Sequence, residues 1–339
     1  MTIQEGESLP TITLWLLPEM AAFAARLVAT GRFRCTRAGC PLKGQNVAVG
    51  LGAEPFDDLR AELAAPVNST IVLLSPDGFG TGTTAMEDLQ RVAAAAVGPP
   101  RVRVLTVEPI PARTIDLAGV SGTVPAAALP RVLGLPRNSA GLRAGTEWLE
   151  SLEGIRAASM WCAAAEGEGT LSGVLARLAD LLIFTMGEPE SIDAAFVQPR
   201  AGRALHAAPG DSLSGLSGCV SILARFADGR VASLFGADHW PVSGVSANLA
   251  GAAGQITLTD GECSWHGRDG AVQRAGRTAA EPFARSLAAE IGAAIAADDV
   301  STPPPPLESI LLIGQAALLS ARTGQPESLE TIRMMSGLR

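Results

Sequence analysis

The sequence contains no tyrosine and a single lysine, Lys43, among 26 basic residues. Only three histidines occur, His206, His239 and His266. Arginine keeps its proton at every accessible pH, so few groups here move protons near neutrality. No excess of positive charge exists either. The net charge of −8 argues against nucleic acid or an anionic membrane as the main partner. No apolar run approaches the length of a membrane span, and residues 1–10 (MTIQEGESLP) are acidic and polar. They read as neither a signal nor a transit peptide, which leads us to expect a cytoplasmic protein. Five cysteines, at 35, 40, 162, 219 and 263, are odd in number and scattered, as reduced thiols would be. Cys35 and Cys40 have no histidine near them, short of the four ligands of a structural zinc, so no metal is assigned.

What is present is core. At 339 residues, with 47% hydrophobic and 18% charged residues, the chain can fill two domains or one large one. The run 11–17 (TITLWLL) reads as a strand, and 18–30 as a helix with Pro18 in its first turn. A β-like Arg32–Thr36 precedes a polar loop. Then follow a helix at Asp57–Ala64, a strand at Thr70–Ser75, a helix at Ala85–Ala96 and a strand at Arg101–Val107. Strands and helices alternating at this spacing predict a parallel, doubly wound sheet.

From about residue 126 the pattern changes. A Pro/Gly/Arg-rich connection at 129–145 leads to a strand at Ile155–Ala163 and a helix within 169–187 that stops at Gly187-Glu188-Pro189. Strand signals then crowd together at Ser191–Phe196, Gly218–Phe226, Arg230–Phe235 and Gln255–Thr259. Asp228-Gly229 and Asp260-Gly261 are hairpin turns, so this half is expected to be mainly antiparallel. A helix at 281–297, an extended tetraproline at 303–306 and a last helix at 307–322 complete the chain.

This order resembles the Gfo/Idh/MocA oxidoreductases. The residues that carry the resemblance are LLIFTMGEPESIDA (181–194), GCVSILARFADGRVASLFG (218–236), GAAGQITLTDG (251–261) and ILLIGQAALLSARTGQPESL (310–329). The resemblance implies a Rossmann-like parallel sheet domain over 1–125. An α+β domain with a large, mainly antiparallel open sheet follows over 126–339, its last helix packing back toward the first domain. It also implies an NAD(P)-dependent reaction on a sugar, polyol or cyclitol.

The chain departs from the family at several functional positions. The family's Gly-x-Gly-x-x-Gly turn follows the first strand, where bare backbone meets pyrophosphate. Here that strand runs into Pro18-Glu19-Met20. The nearest glycine-rich loop, LSPDGFGTGTT (74–84), follows a later strand, and its Ser75 and Pro76 are cofactor-binding candidates. Arg37 stands where an NAD enzyme would have an acidic ribose ligand. It points either to a 2′-phosphate or, with Arg32, Arg34 and Lys43, to a solvated basic edge. The family's catalytic lysine, in a Glu-Lys-Pro motif, is replaced by Glu108 before Pro109. Counting back from Gly187, the family's aspartate and histidine positions hold Gly173 and Arg177, with Asp180 retained. Spacings of four and seven place the three on one helical face. Gly173, Arg177, Asp180 and Pro109 are therefore expected to line a ligand cleft. Arg177 either binds an anion or pairs with Asp180.

His239 beside Asp238 is the best surviving acid–base candidate, with Glu108 and Asp180 behind it and His206 and His266 weaker. Three readings remain open: a catalytically degenerate ligand-binding or assembly subunit, with no cofactor assigned; an active oxidoreductase using NAD or NADP; and a lyase or isomerase that has reused the cleft. The expected ligand is small and anionic or sugar-like. The run CVSILARFADGRVASLF carries apolar residues on both faces, with Ile222, Ala224 and Phe226 set against Val220 and Leu223. We therefore expect a homo-oligomer, or a heteromer with an active paralogue, formed through that sheet.

Overall fold

The structure, a computed structural model, describes residues 9–41, 44–80, 83–97, 101–200, 203–205, 211–277, 282–297 and 307–338. Lys43, Gly82, His206 and the tetraproline at 303–306 lie outside the described residues. By its internal contacts the chain forms two units. One comprises Met1–Val107, Gly122–Leu133 and Ala284–Pro304; the other comprises Glu108–Ser121, Gly134–Phe283 and Pro305–Arg339.

In the first unit, β1 (Thr11–Trp15), β2 (Arg34–Gly39), β3 (Glu54–Phe56), β4 (Thr70–Leu73), β5 (Arg103–Thr106) and β6 (Arg131–Val132) form one sheet in the order β3-β2-β1-β4-β5-β6. Every pairing is parallel. Its helices are α1 (Ala21–Val28), α2 (Gly44–Leu51), α3 (Leu59–Ala64) and α4 (Thr83–Val97). Strand order reverses between β1 and β4, the switch point at which open α/β sheets bind ligands. Ile12 to Trp15 and all of β4 are buried, as expected of strands covered on both faces.

The second unit contains α5 (Thr114–Val120) and α6 (Ala140–Thr146), then β7 (Ile155–Ala165), α7 (Leu171–Met186), β8 (Ser191–Arg200), β9 (Arg203–Leu205), β10 (Cys219–Arg225), β11 (Val231–Trp240), β12 (Gly244–Gly251), β13 (Gly254–Thr259), β14 (Glu262–Gly267) and β15 (Val272–Arg277). Helix α8 (Phe283–Ala296) leaves it after its first residue for the first unit, and α9 (Leu307–Thr323), β16 (Glu327–Ser328) and α10 (Leu329–Ser336) return. The sheet order is β15-β14-β13-β12-β7-β11-β10-β8-β16, with β9 beside β8. Among the described residues of this sheet, only β7 and β11 pair in parallel. Helices α7 and α9 cover the face formed by Met160, Cys162, Val220, Ile222, Ala224 and Leu234, all buried.

Two expectations change. One boundary near residue 125 does not describe the chain, because Glu108–Ser121 clusters with the second unit while Gly122–Leu133 and most of α8 cluster with the first. Helix α9 lies in the second unit, packed on β8, α7 and α5. Periodicity identifies an element but not the sheet it packs on. Val220 shares the covered face with Ile222 and Ala224, because residues two apart point the same way. The open face of β10 carries Cys219, Ser221 and Leu223 instead, and is largely small and polar. Aromatic rings stand on it at one place, where Trp240 packs edge-on against Trp161 and Phe235 at 6.4 and 5.7 Å.

The glycines of GAAGQITLTDG have a steric cause. A Cβ at Gly254 (φ +152°) would fall on the His266 carbonyl oxygen across the β13–β14 ladder. Backbone cannot step aside there without breaking the pairing. We expect Gly254→Ala to cost more than about 2 kcal/mol in urea unfolding. Gly50→Ala, exposed in α2 with nothing near the added methyl, should stabilise by about 0.5–1 kcal/mol.

Candidate functional site

Helix α7 starts at Thr170, whose hydroxyl accepts the Gly173 N–H at 3.3 Å, and stops at Gly187 (φ +86°). Fourteen of its residues are buried, among them Ser172, Arg177, Asp180 and Thr185. Its polar side chains must therefore find partners inside the protein. Ser172 donates to the Leu213 carbonyl and Thr185 to the Leu181 carbonyl, 2.8 Å. Asp180, with no exposed surface, forms an ion pair with Arg137 from the segment ahead of α6. Burial pushes its carboxyl above the usual range, and Arg137 opposes that shift.

The expected Arg177–Asp180 pair is thus replaced by Arg137–Asp180. Arg177 is 7% exposed, and its guanidinium carbon lies over Phe283, 4.6 Å from the ring centroid. Its Nε has no hydrogen-bond partner, and Arg177 makes no ion pair among the described residues. The groups it acts on electrostatically are Cys162 and Asp260, whose pKa values burial raises and Arg177 lowers. Asp260 closes the β13–β14 turn, and its Oδ2 accepts the Val245 N–H at 2.9 Å. Gly173 lies one turn N-terminal to Arg177, the direction in which helical side chains lean. Without a side chain there, no carboxylate meets the guanidinium from that position.

At the switch point of the first unit the carboxyl ends of the strands are roofed by aromatic rings. Trp15, 1% exposed at the end of β1, donates its indole N–H to the Asp77 carbonyl in the loop after β4. Its ring packs on Phe56 at 5.3 Å. A Cβ at Gly78 (φ +99°) would come within 3.0 Å of the indole, so the loop lies directly on it. Asp88 holds the far side of this loop, taking the Gly80 N–H at 2.8 Å while pairing with Arg60 and Arg91. Beside β1 the chain turns through Pro18 and the exposed Glu19. Burial, and then the Glu19 charge, push the Asp77 carboxyl above its usual range.

The other candidates are placed as follows. Arg37 is paired with the buried Glu62, lies 3.8 Å from Glu54 and covers the Phe56 ring at 5.2 Å. It is neither a solvated edge nor a free cation for a 2′-phosphate, because Glu62 already neutralises it. Glu62 also accepts the Thr13 hydroxyl at 3.2 Å. Ser75 is buried and its Oγ accepts the Asp77 N–H at 3.1 Å; Pro76 is buried beside it. Glu108 and Pro109 are buried in the segment that clusters with the second unit. His239 is 58% exposed, with Nδ1 2.6 Å from Asp238, whose Oδ1 also takes the Gly218 N–H at 2.8 Å. His266 faces the Ser264 hydroxyl at 3.2 Å. Among the described residues no group of three metal-ligating side chains forms.

Sequence reasoning missed Trp15, Arg137, Asp260 and Phe283. A tryptophan inside a buried strand, followed by proline where a glycine turn belongs, was the available signal for the first. The other three come from distant parts of the chain, the segment ahead of α6, the β13–β14 turn and the start of α8, and no spacing announces them.

No family model and no curated protein matches this sequence. Solved structures match its fold. Levoglucosan dehydrogenase, in complex with NADH and levoglucosan, superposes with a TM-score of 0.67 at 14% identity, over 95% of this chain and 100% of that one. An oxidoreductase from Agrobacterium radiobacter, in complex with NAD+, L-tartaric acid and magnesium, gives 0.67 at 13%, over 96% and 100%. The WlbA dehydrogenase from Bordetella pertussis, in complex with NADH and UDP-GlcNAcA, gives 0.61 at 17%, over 95% and 99%. The chain has the fold of the Gfo/Idh/MocA-type oxidoreductases, and these neighbours are NAD(H)-bound members of it.

Two outcomes follow from the charges. A carboxyl whose folded pKa is raised costs nothing below its ordinary value of 3.8, where both states are protonated. Its cost grows as pH rises through the folded pKa and is constant above. Asp77→Asn should therefore raise the melting temperature at pH 7, with the gain vanishing in acid below pH 3.8. Arg137→Met leaves Asp180 buried without its cation, and should cost about 3 kcal/mol in denaturant unfolding.

Proposed function

We propose that this chain is a catalytically degenerate protein of the Gfo/Idh/MocA oxidoreductase fold, acting as a ligand-binding or assembly subunit. The observation that carries this reading is the indole of Trp15. At the switch point, a dinucleotide pyrophosphate needs close backbone and free N–H groups at the start of the first helix. This chain has there a ring fixed by Asp77 and Phe56, a proline without an N–H, and two carboxylates, Glu19 and Asp77. Sterics and charge both oppose a dianionic pyrophosphate, so these residues do not fit the cofactor.

The second unit supports the same reading. The position at which the resemblance implies a proton-transferring histidine holds Arg177, which cannot release its proton. Where a lysine would be cationic stands Glu108. Losing one acid–base group costs an enzyme of this kind about 10²–10⁴-fold, and this chain departs at several. The assembly part of the reading concerns the open face of the second unit's sheet. Its small, polar rows and the ring cluster of Trp161, Phe235 and Trp240 suit a second copy of the chain, or a catalytically active relative, laid face to face.

The test is titration of the purified chain with NADH and NADPH, followed by fluorescence and calorimetry. No saturable binding is expected up to millimolar cofactor. A turnover screen against sugars and polyols with NAD+ and NADP+ should stay at background. Saturable binding or turnover would establish the alternative, an active NAD(P)-dependent oxidoreductase.

A further inference from the structure

Arg177 poses an electrostatic problem within the second unit. A guanidinium is a permanent charge, and this one is 7% exposed, with its Nε unpartnered and no ion pair among the described residues. Its neighbour on the same helix, Asp180, is fully committed to Arg137. Asp260, the acid that acts on Arg177, is itself held back from ionising by burial. Nothing in the described chain supplies a full counter-charge in contact.

We infer that Arg177 anchors a carboxylate-binding site, and that its ligand is a small hydroxy carboxylate with its carboxylate on the guanidinium and a hydroxyl on Asp260. This rests on the ligand-binding reading above. The geometry narrows the anion. The N–H groups of a guanidinium point outward in its own plane, so a hydrogen-bonding anion meets it along an edge, while Phe283 lies 4.6 Å from its central carbon. An edge of the fork offers two parallel N–H donors, a match for the two oxygens of a planar carboxylate. Phosphate fits less well, since its second charge would be repelled by Asp260 once that acid ionises.

Asp260 supplies the second contact. Its Oδ2 is taken by the Val245 N–H. Its other oxygen accepts a hydrogen bond from the ligand hydroxyl when the acid is ionised. Gly173 completes the arrangement by absence. An aspartate one turn before Arg177 would meet its guanidinium at i, i+4, and the chain has none there.

The experiment is calorimetry and thermal shift on the full chain, with four probes: sodium glycolate, sodium D-gluconate, D-sorbitol and inorganic phosphate. Both carboxylates should bind saturably and raise the melting temperature; sorbitol and phosphate should not. Arg177→Met should lose binding by more than 100-fold. Without ligand it should melt no lower than the wild type, because an unanswered buried charge has been removed. Arg177→Lys keeps charge but not the fork, and should lose at least tenfold. Gly173→Asp builds in a carboxylate, so it should melt higher than the wild type and bind neither acid.

Absence of binding by both carboxylates overturns the inference. So does binding that survives Arg177→Met or Gly173→Asp, or a ligand-free Arg177→Met that melts well below the wild type. Were that variant unable to fold, Gly173→Asp and Arg177→Lys carry the test. Failure here is separable from failure of the preceding reading. A chain that binds NADH and gluconate overturns catalytic degeneracy alone, whereas one that binds neither overturns only the Arg177 site.

Discussion

A helix buried on every side has to have each of its charges answered by another part of the chain, and α7 is such a helix. Removing an ion from water costs several kcal/mol even after the protein relaxes. For Asp180 the answer is Arg137, and two elements are tied together by it. For Arg177 the answer is partial. Stacking on a phenylalanine is worth about 2 kcal/mol or somewhat more when dry. That falls short of the cost of burial, and Asp260 ionises reluctantly. The shortfall is what makes Arg177 a candidate for an external anion, whereas Asp180 is structural.

The first unit solves a different problem with the same fold. A parallel sheet whose order reverses leaves a crevice at the carboxyl ends of its strands. Binding proteins of this type leave it to the ligand. Here it is closed by the protein's own groups: an indole with its N–H satisfied by a backbone carbonyl, a phenylalanine against it, and a loop held by Asp88. A buried tryptophan N–H without an acceptor would be expensive, so the Asp77 carbonyl is part of the closure. Prising the loop away would expose both rings and break that bond. The closure is therefore a packing arrangement that the loop cannot leave without exposing both rings.

Much of the fold was legible because it rests on periodicity. β1, β4 and β5 share one parallel sheet, β10 and β11 form a hairpin across Asp228-Gly229, and α7 ends at Gly187, all as their residues indicate. Elements of weak periodicity were not: α2 within the polar loop, α6 within the Pro/Gly/Arg-rich connection, and β12, whose Gly244–Gly251 run mixes small and polar residues. At the site, Gly173, Arg177 and Asp180 all fall within α7 at helical spacing, and all three are buried. Spacing could not say which arginine Asp180 would choose, because Arg137 lies 43 positions away. Likewise Arg37 reads as a surface cation until Glu62, distant in sequence, folds beside it.

Replacing a histidine by an arginine on such a face changes how a site responds to its surroundings. Histidine switches charge near neutral pH, which suits proton transfer but makes any anion contact conditional. A guanidinium stays charged throughout, so its grip on an anion varies with pH only through the partner. The varying partner here is Asp260, which burial keeps protonated to a higher pH than an exposed aspartate. As Asp260 ionises it competes for Arg177 and repels the anion, yet becomes a better acceptor for a hydroxyl. A simple carboxylate would therefore be held more tightly on the acid side of that ionisation. A hydroxy carboxylate recovers part of the loss through its second contact. At the proposed site, discrimination between the two would rest on one fixed cation and one reluctant acid, with no proton transfer to the ligand required.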